Sequence, residues 1–118
     1  MIKIKRAYEP AEKADGKRFL VERLWPRGMK KESLKMDAWL KDVAPSAELR
    51  TWFRHDPAKW AEFQKRYRAE LRAHPEAWEA IRAAANRGAV TLLYSAHDTE
   101  HNSARLLKEF LDRQVSTH

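Results

Sequence analysis

The chain has 118 residues and a net charge of +7, enough length for one domain that builds its own core without staples. It contains no cysteine, which excludes a disulfide framework, a thiolate metal site and a thiol nucleophile, and fits a reducing compartment. The opening MIKIKRAYEP lacks the apolar run of a secretory signal and no segment approaches the ~20 apolar residues of a membrane span, so the expected setting is cytoplasmic, with no membrane partner.

Ile2 to Arg6, IKIKR, alternates apolar and basic residues with the period of a half-buried strand. Pro10, Asp15 and Gly16 mark a polar loop, and RFLVERLW then predicts a second strand that Pro26 stops. Arg27 to Lys35 is a basic loop. Asp37 is expected to cap a short helix carrying Trp39, Leu40 and Val43 and limited by Pro45. Ser46 caps the next helix, SAELRTWF, with Glu48 in its first turn. Asp56-Pro57 opens the longest helical pattern, in which Trp60, Phe63, Tyr67 and Leu71 share one face. Pro75 opens a further helix with Trp78, Ile81 and Ala85 inward, and Gly88 ends it. Ala89 to Ala96 is a near-continuous apolar run that reads as a buried central strand. HDTEHN leads into a last amphipathic helix, capped by Asp98 or Thr99, with Ala104, Leu107, Phe110 and Leu111 inward.

Strands two and three flank a long helical crossover, a connection that joins parallel strands. The expected fold is therefore α/β: a small three-layer Rossmann-like domain spanning residues 1–118, with a mainly parallel sheet of about three strands and flanking helices. Ligands bind such sheets outside the carboxyl ends of the strands. Two segments fall on that edge, WPRG after strand two and SAHDTEHN after strand three, and parallel neighbouring strands would set them side by side. Pro26 stiffens the first and Gly28 permits a sharp turn or a close approach by a ligand, so Arg27 is held ready for a carboxylate or phosphate. Arg23, on the face of Trp25, and Lys31 extend the basic lining. The alternative is that Trp25 packs in the core while the arginines pair with Glu22, Glu32 or Asp37.

The second segment offers Ser95, His97, Asp98, His101 and Asn102: hydroxyl, imidazole, carboxylate and amide at the start of a helix whose first N–H groups can face an anion. Asp98 and His101 are the candidates for general acid or base, and the competing role for them is capping and surface hydrogen bonding. His97 and His101 stand four apart, a spacing that suits a metal only within one helix, and the strand–helix break runs between them. With no HExxH, the chain indicates no metal site and no cofactor. Trp39, Trp52, Trp60 and Trp78 read as core residues at helical spacing. Arg50, Arg54 and His55 read as a solvated helix face.

The motifs RLWPRG, DAWLKDVAPSAELRTWF with its HDPAKWAEF continuation, RYRAEL and VTLLYSAHDTEHNSARLL together resemble the bacterial YeaO-like proteins, a branch of the domain of unknown function 488 family. The resemblance covers nearly the whole chain and implies a compact Rossmann-like α/β fold, with no established reaction attached. More distant members of the wider family often carry cysteine in the last strand and a Cys-His-Arg element after it. At Tyr94 to Ala96 and around His101-Asn102 this chain has none, so thiol chemistry does not carry over.

The placement of charge orders the functional readings. Residues 1–41 hold 12 Lys and Arg against 6 Asp and Glu, whereas residues 42–118 hold 12 against 11. A one-sided excess points to an anionic partner. The leading expectation is a basic cytoplasmic protein that binds a phosphate-bearing or other anionic small molecule at the carboxyl edge of its sheet, with catalysis open. The alternatives are a nucleic-acid-binding module using the basic first third, although no helix-turn-helix, OB or RRM signature is present, and a protein-interaction domain. Either a monomer or a homodimer is compatible with the sequence.

Overall fold

A computed structural model describes residues 1–96 and 102–115. Four parallel strands, β1 (Ile2–Arg6), β2 (Lys17–Leu20), β3 (Ala38–Trp39) and β4 (Val90–Tyr94), form one sheet in the order β1-β4-β2-β3. Four helices complete the fold: α1 (Ala47–Phe53), α2 (Trp60–Ala73), α3 (Pro75–Arg87) and α4 (Ser103–Val115). The α/β class, the parallel sheet and its flanking helices are as the sequence implies. β4 lies at the centre, paired with β1 from Ile2↔Val90 to Arg6↔Tyr94 and with β2 from Lys17↔Val90 to Leu20↔Leu93. All five of its residues are buried, which is why it reads as an unbroken apolar run.

The pleat sends alternate residues to two different layers. Ile2, Phe19, Val90, Leu92 and Tyr94 face the helices and join Leu49, Phe63, Tyr67, Leu71, Trp78, Ile81, Leu107 and Leu111 in the main core. On the other face, Leu20 and Leu93 meet Ala7 and Leu34, with Trp25, Met29, Met36 and Trp39 packed around them. That second layer is made of the β1–β2 and β2–β3 segments, with a 3-10 turn at Lys13–Asp15. At its other end the face is ionic: Lys5, Arg18 and Thr91 surround Asp15, of which 2% is exposed. The Asp15 carboxylate accepts hydrogen bonds from Lys5 Nζ at 3.1 Å, from the Glu12 N–H at 3.0 Å and from Arg18 Nη1.

Two expected elements differ. The helix expected from Asp37 is instead β3 followed by a 3-10 turn, Lys41–Val43, so the sheet has a fourth strand. Asp37 caps no helix; its carboxylate takes the Arg18 N–H at 2.8 Å and its own N–H donates to Arg18 O at 2.7 Å, which stitches β3 to β2. The second strand ends at Leu20 rather than running to Trp25, because the ladder with β4 stops after the Val21 N–H reaches Leu93 O. The starts of α1 and α3 follow their signals, while Asp56 caps a 3-10 turn, Pro57–Lys59, that leads into α2 at Trp60. Ser46 Oγ accepts from the Leu49 N–H at 3.1 Å, the Asp56 carboxylate from the Ala58 N–H at 3.0 Å, and Pro75 and Gly88 bracket α3.

Candidate functional site

RLWPRG folds into a turn whose parts have separate jobs. Pro26 is fully buried, and the Met29 N–H reaches back to Pro26 O. Gly28, third in that turn, has φ of 76°, the left-handed value a type II turn needs there. Nothing lies within 4 Å of where its Cβ would be, so the backbone at Gly28 is open to approach. The half-buried Trp25 closes the turn from below: its Nε1–H donates to Met29 O at 2.6 Å and its ring meets Trp39 edge-on at 5.4 Å. Arg27 and Lys31 are exposed.

Arg23 departs from this group. Its Nε donates to Pro45 O at 2.7 Å and its Nη2 to Ala44 O at 3.2 Å, so it secures the segment after β3 rather than standing beside Arg27. It borders a cavity of about 160 Å³ with Ser46, Tyr67, Glu70 and His74. There Glu70 holds Ser46 through both its N–H (3.0 Å) and its hydroxyl (2.6 Å), and the Tyr67 hydroxyl donates to Val43 O at 2.6 Å. Burial pushes that hydroxyl far above the ordinary tyrosine range, with Glu70 adding to the shift and Arg23 opposing it, so Tyr67 serves as a neutral donor.

The two carboxyl-edge loops do meet. Glu22, just past β2, places its Oε1 on both the N–H and the hydroxyl of Ser95, just past β4, the latter at 3.0 Å. Arg6, at the end of β1, donates to Ser95 O at 3.1 Å and to Ala96 O at 3.0 Å. An acid and a base thus hold the start of the β4–α4 segment from either side. Parallel pairing of β2 with β4 makes this contact predictable, but neither Glu22 nor Arg6 stood out in the sequence; an acid at a strand end opposite a serine was the available signal. His97, Asp98 and His101, together with the cap expected at Asp98 or Thr99, lie outside the described residues. α4 begins at Ser103, and Asn102 is its cap: the buried Asn102 side-chain oxygen accepts the Arg105 N–H at 2.9 Å.

Beyond Arg6, β1 enters a turn in which the Glu9 carboxylate accepts the Arg6 N–H at 2.8 Å. Tyr8, within this turn, is 43% exposed. Its hydroxyl donates to Arg27 O at 2.9 Å and the Arg6 guanidinium sits 4.9 Å from its ring centroid. The carboxyl edge is therefore one continuous surface from β1 through the Pro26–Met29 turn.

Much of the early charge excess is consumed by structure. Lys3 donates to Ala14 O, Lys5 and Arg18 hold Asp15, Arg6 and Arg23 bind carbonyls, and Lys41 lies 4.2 Å from the Trp39 ring centroid. Burial alone would raise the Asp15 carboxyl, but the Glu12 N–H and the Lys5 and Arg18 side chains outweigh it and hold it below the usual range. What is left over stands largely on one loop. Arg27, Lys30, Lys31 and Lys35 are exposed, and their side chains make no hydrogen bond or ion pair among the described residues. Chemically this edge offers exposed cations, an open glycine backbone and a clamped strand end, an arrangement suited to holding an anion. No helix among the described residues is long and apolar enough to cross a membrane.

Comparison with known proteins places the sequence. A family model described as "Inactive DUF488-N3 subclade" matches residues 1–118. An Escherichia coli protein, "Uncharacterized protein YeaO", is 44% identical over 93% of this chain and 96% of its own length. Mycobacterium proteins are also similar: "Uncharacterized protein Mb3100c" of Mycobacterium bovis and "Uncharacterized protein Rv3073c" of Mycobacterium tuberculosis are each 36% identical over 94% of this chain and 93% of their own. No solved structure matches the chain. With the family model spanning every residue and a YeaO relative 44% identical over 93% of the chain, the chain belongs to the YeaO-like branch of the domain of unknown function 488 family, in the subclade described as inactive.

Proposed function

We propose that this protein binds a phosphate-bearing or otherwise anionic small molecule at the carboxyl edge of its sheet, between the Pro26–Met29 turn and the β4–α4 segment. The observation that carries the reading is the Glu22–Ser95 contact, which joins the segments that follow β2 and β4, the first of which carries Arg27 and Lys31, exposed and unpaired among the described residues. Arg27 and Lys31 neutralise the ligand, Gly28 admits it to the backbone, and Arg23 and Trp25 hold the surrounding frame. Ser95 lines the opposite side, Asn102 fixes the start of α4, and His97 is proposed as a further ligand contact. Asp98 and His101 orient the ligand and would carry any proton transfer. The subclade's description as inactive and the lack of cysteine favour binding without turnover.

Thermal unfolding with inorganic phosphate, pyrophosphate and ribose 5-phosphate tests the reading. A ligand at about 100 times its Kd stabilises by about 2.7 kcal/mol, which for a domain of this size raises Tm by roughly 10 °C. Arg27→Ala and His101→Ala should each remove most of that rise. If both variants respond as the wild type does to every probe, the reading falls.

One observation favours a second reading. Arg27, Lys30, Lys31 and Lys35 are four exposed cations on the one segment between β2 and β3, more than a single phosphate group needs and a number that suits the backbone of a nucleic-acid strand.

A further inference from the structure

Tyr8 is the one large aromatic side chain offered to solvent at the carboxyl edge among the described residues, since Trp25 and Trp39 are half-buried against the second core. An exposed ring is ordinarily free to swing. This one is tied at both ends: the Tyr8 hydroxyl is held by Arg27 O at 2.9 Å, and the Arg6 guanidinium, itself anchored on Ser95 O and Ala96 O, lies against the ring at 4.9 Å. A ring so fixed loses little further freedom when a flat partner stacks on it. Its phenolic end also touches the backbone of Arg27, whose guanidinium is exposed and unpaired among the described residues, and Gly28 leaves open space beside them. A stacking surface and a cation are thus coupled through one hydrogen bond.

Resting on the anion-binding reading above, we propose that the ligand is a nucleotide, with its base stacked on Tyr8 and its phosphate on Arg27. The chemistry is shared by a free nucleotide and by one within a single strand. Every base has a π-face and stacking is sequence-tolerant, so the site selects for a base without choosing among bases. An inorganic anion or a bare sugar phosphate satisfies only the Arg27 half.

Titration of the full chain with adenosine 5′-monophosphate, ribose 5-phosphate, inorganic phosphate and a short single-stranded oligonucleotide tests this. The monophosphate should bind about fivefold or more tighter than ribose 5-phosphate, the gain expected from one stacked base. Tyr8→Leu should erase that preference, and Tyr8→Phe, which loses the same hydroxyl bond to Arg27 O but keeps the ring, should retain most of it. Far-ultraviolet circular dichroism of each variant confirms that the fold is intact. An oligonucleotide that binds tighter than the monophosphate in a Tyr8-dependent manner identifies a strand as the source; equal binding identifies the free nucleotide. If the phosphates bind with no preference for the base, or if the preference survives Tyr8→Leu, the stacking inference is overturned and anion binding stands. If no phosphate probe binds, both fall together.

Discussion

Lys5 and Arg18 would be a liability on the covered face of a sheet were Asp15 not between them. The Asp15 carboxylate accepts from both and from the Glu12 N–H, so its charge is matched and its oxygens are satisfied. Removing that charge leaves the buried Arg18 guanidinium without its acid and Lys5 with the exposed Glu12 carboxylate alone. Asp15→Asn should therefore lower stability by about 3 kcal/mol or more, read from the urea midpoint at pH 7. The pH dependence has a definite sign. The folded-state carboxyl is held below its unfolded value, so its contribution is complete above about pH 4 and is lost as pH falls through the folded value. The wild type should weaken in that acid range, while Asp15→Asn should show a flatter profile; parallel profiles would refute the assignment. At this scale some roles were readable in advance. Gly28 and Pro26 announce a turn by their own backbone chemistry. Glu22 and Arg6 do not, because a charged residue at a strand end has the same local pattern whether it is solvated or clamps a neighbouring loop.

Among elements, those with a strong period or an unambiguous cap were readable, and those made by a neighbour were not. β4 declares itself through five buried residues in a row, and α2 and α3 through their apolar faces and opening prolines. β3 has only two residues and exists because Asp37 and Leu40 bond to the backbone of Arg18 and Leu20. Its Trp39 and Leu40 mimic a helical face that no cap supports. In HDTEHN several side chains can cap a helix, so the sequence does not single out Asn102, whose side-chain oxygen takes the Arg105 N–H. Asn102→Ala should cost about 1 kcal/mol, measured as a shift in the denaturant midpoint, and should leave the Tm rise with phosphate largely intact if the cap is structural. A complete loss of the phosphate response at unchanged stability would instead make Asn102 a direct ligand contact.

For the molecule as a whole, the charge that composition displays is not the charge a partner meets. Half of the early cations are spent on Asp15, on carbonyls or on aromatic rings, and the remainder is concentrated in the β2–β3 segment. That residue of charge separates the two readings by salt. A single strand engaging all four loop cations should show a slope of log K against log salt of about −3, whereas a pocket holding one phosphate group should stay shallower than about −2. A slope at the steep limit would favour the nucleic-acid reading over the small ligand. The order β1-β4-β2-β3 has a different consequence, for how the molecule comes into being. β1 and β2 are neighbours in sequence yet never pair; each waits for β4, which lies more than two thirds of the way along the chain. On a ribosome the first two strands emerge with no partner except the two residues of β3. Sheet formation therefore waits for β4, and the nascent chain carries exposed strand edges until residues 90–94 arrive to close the gap.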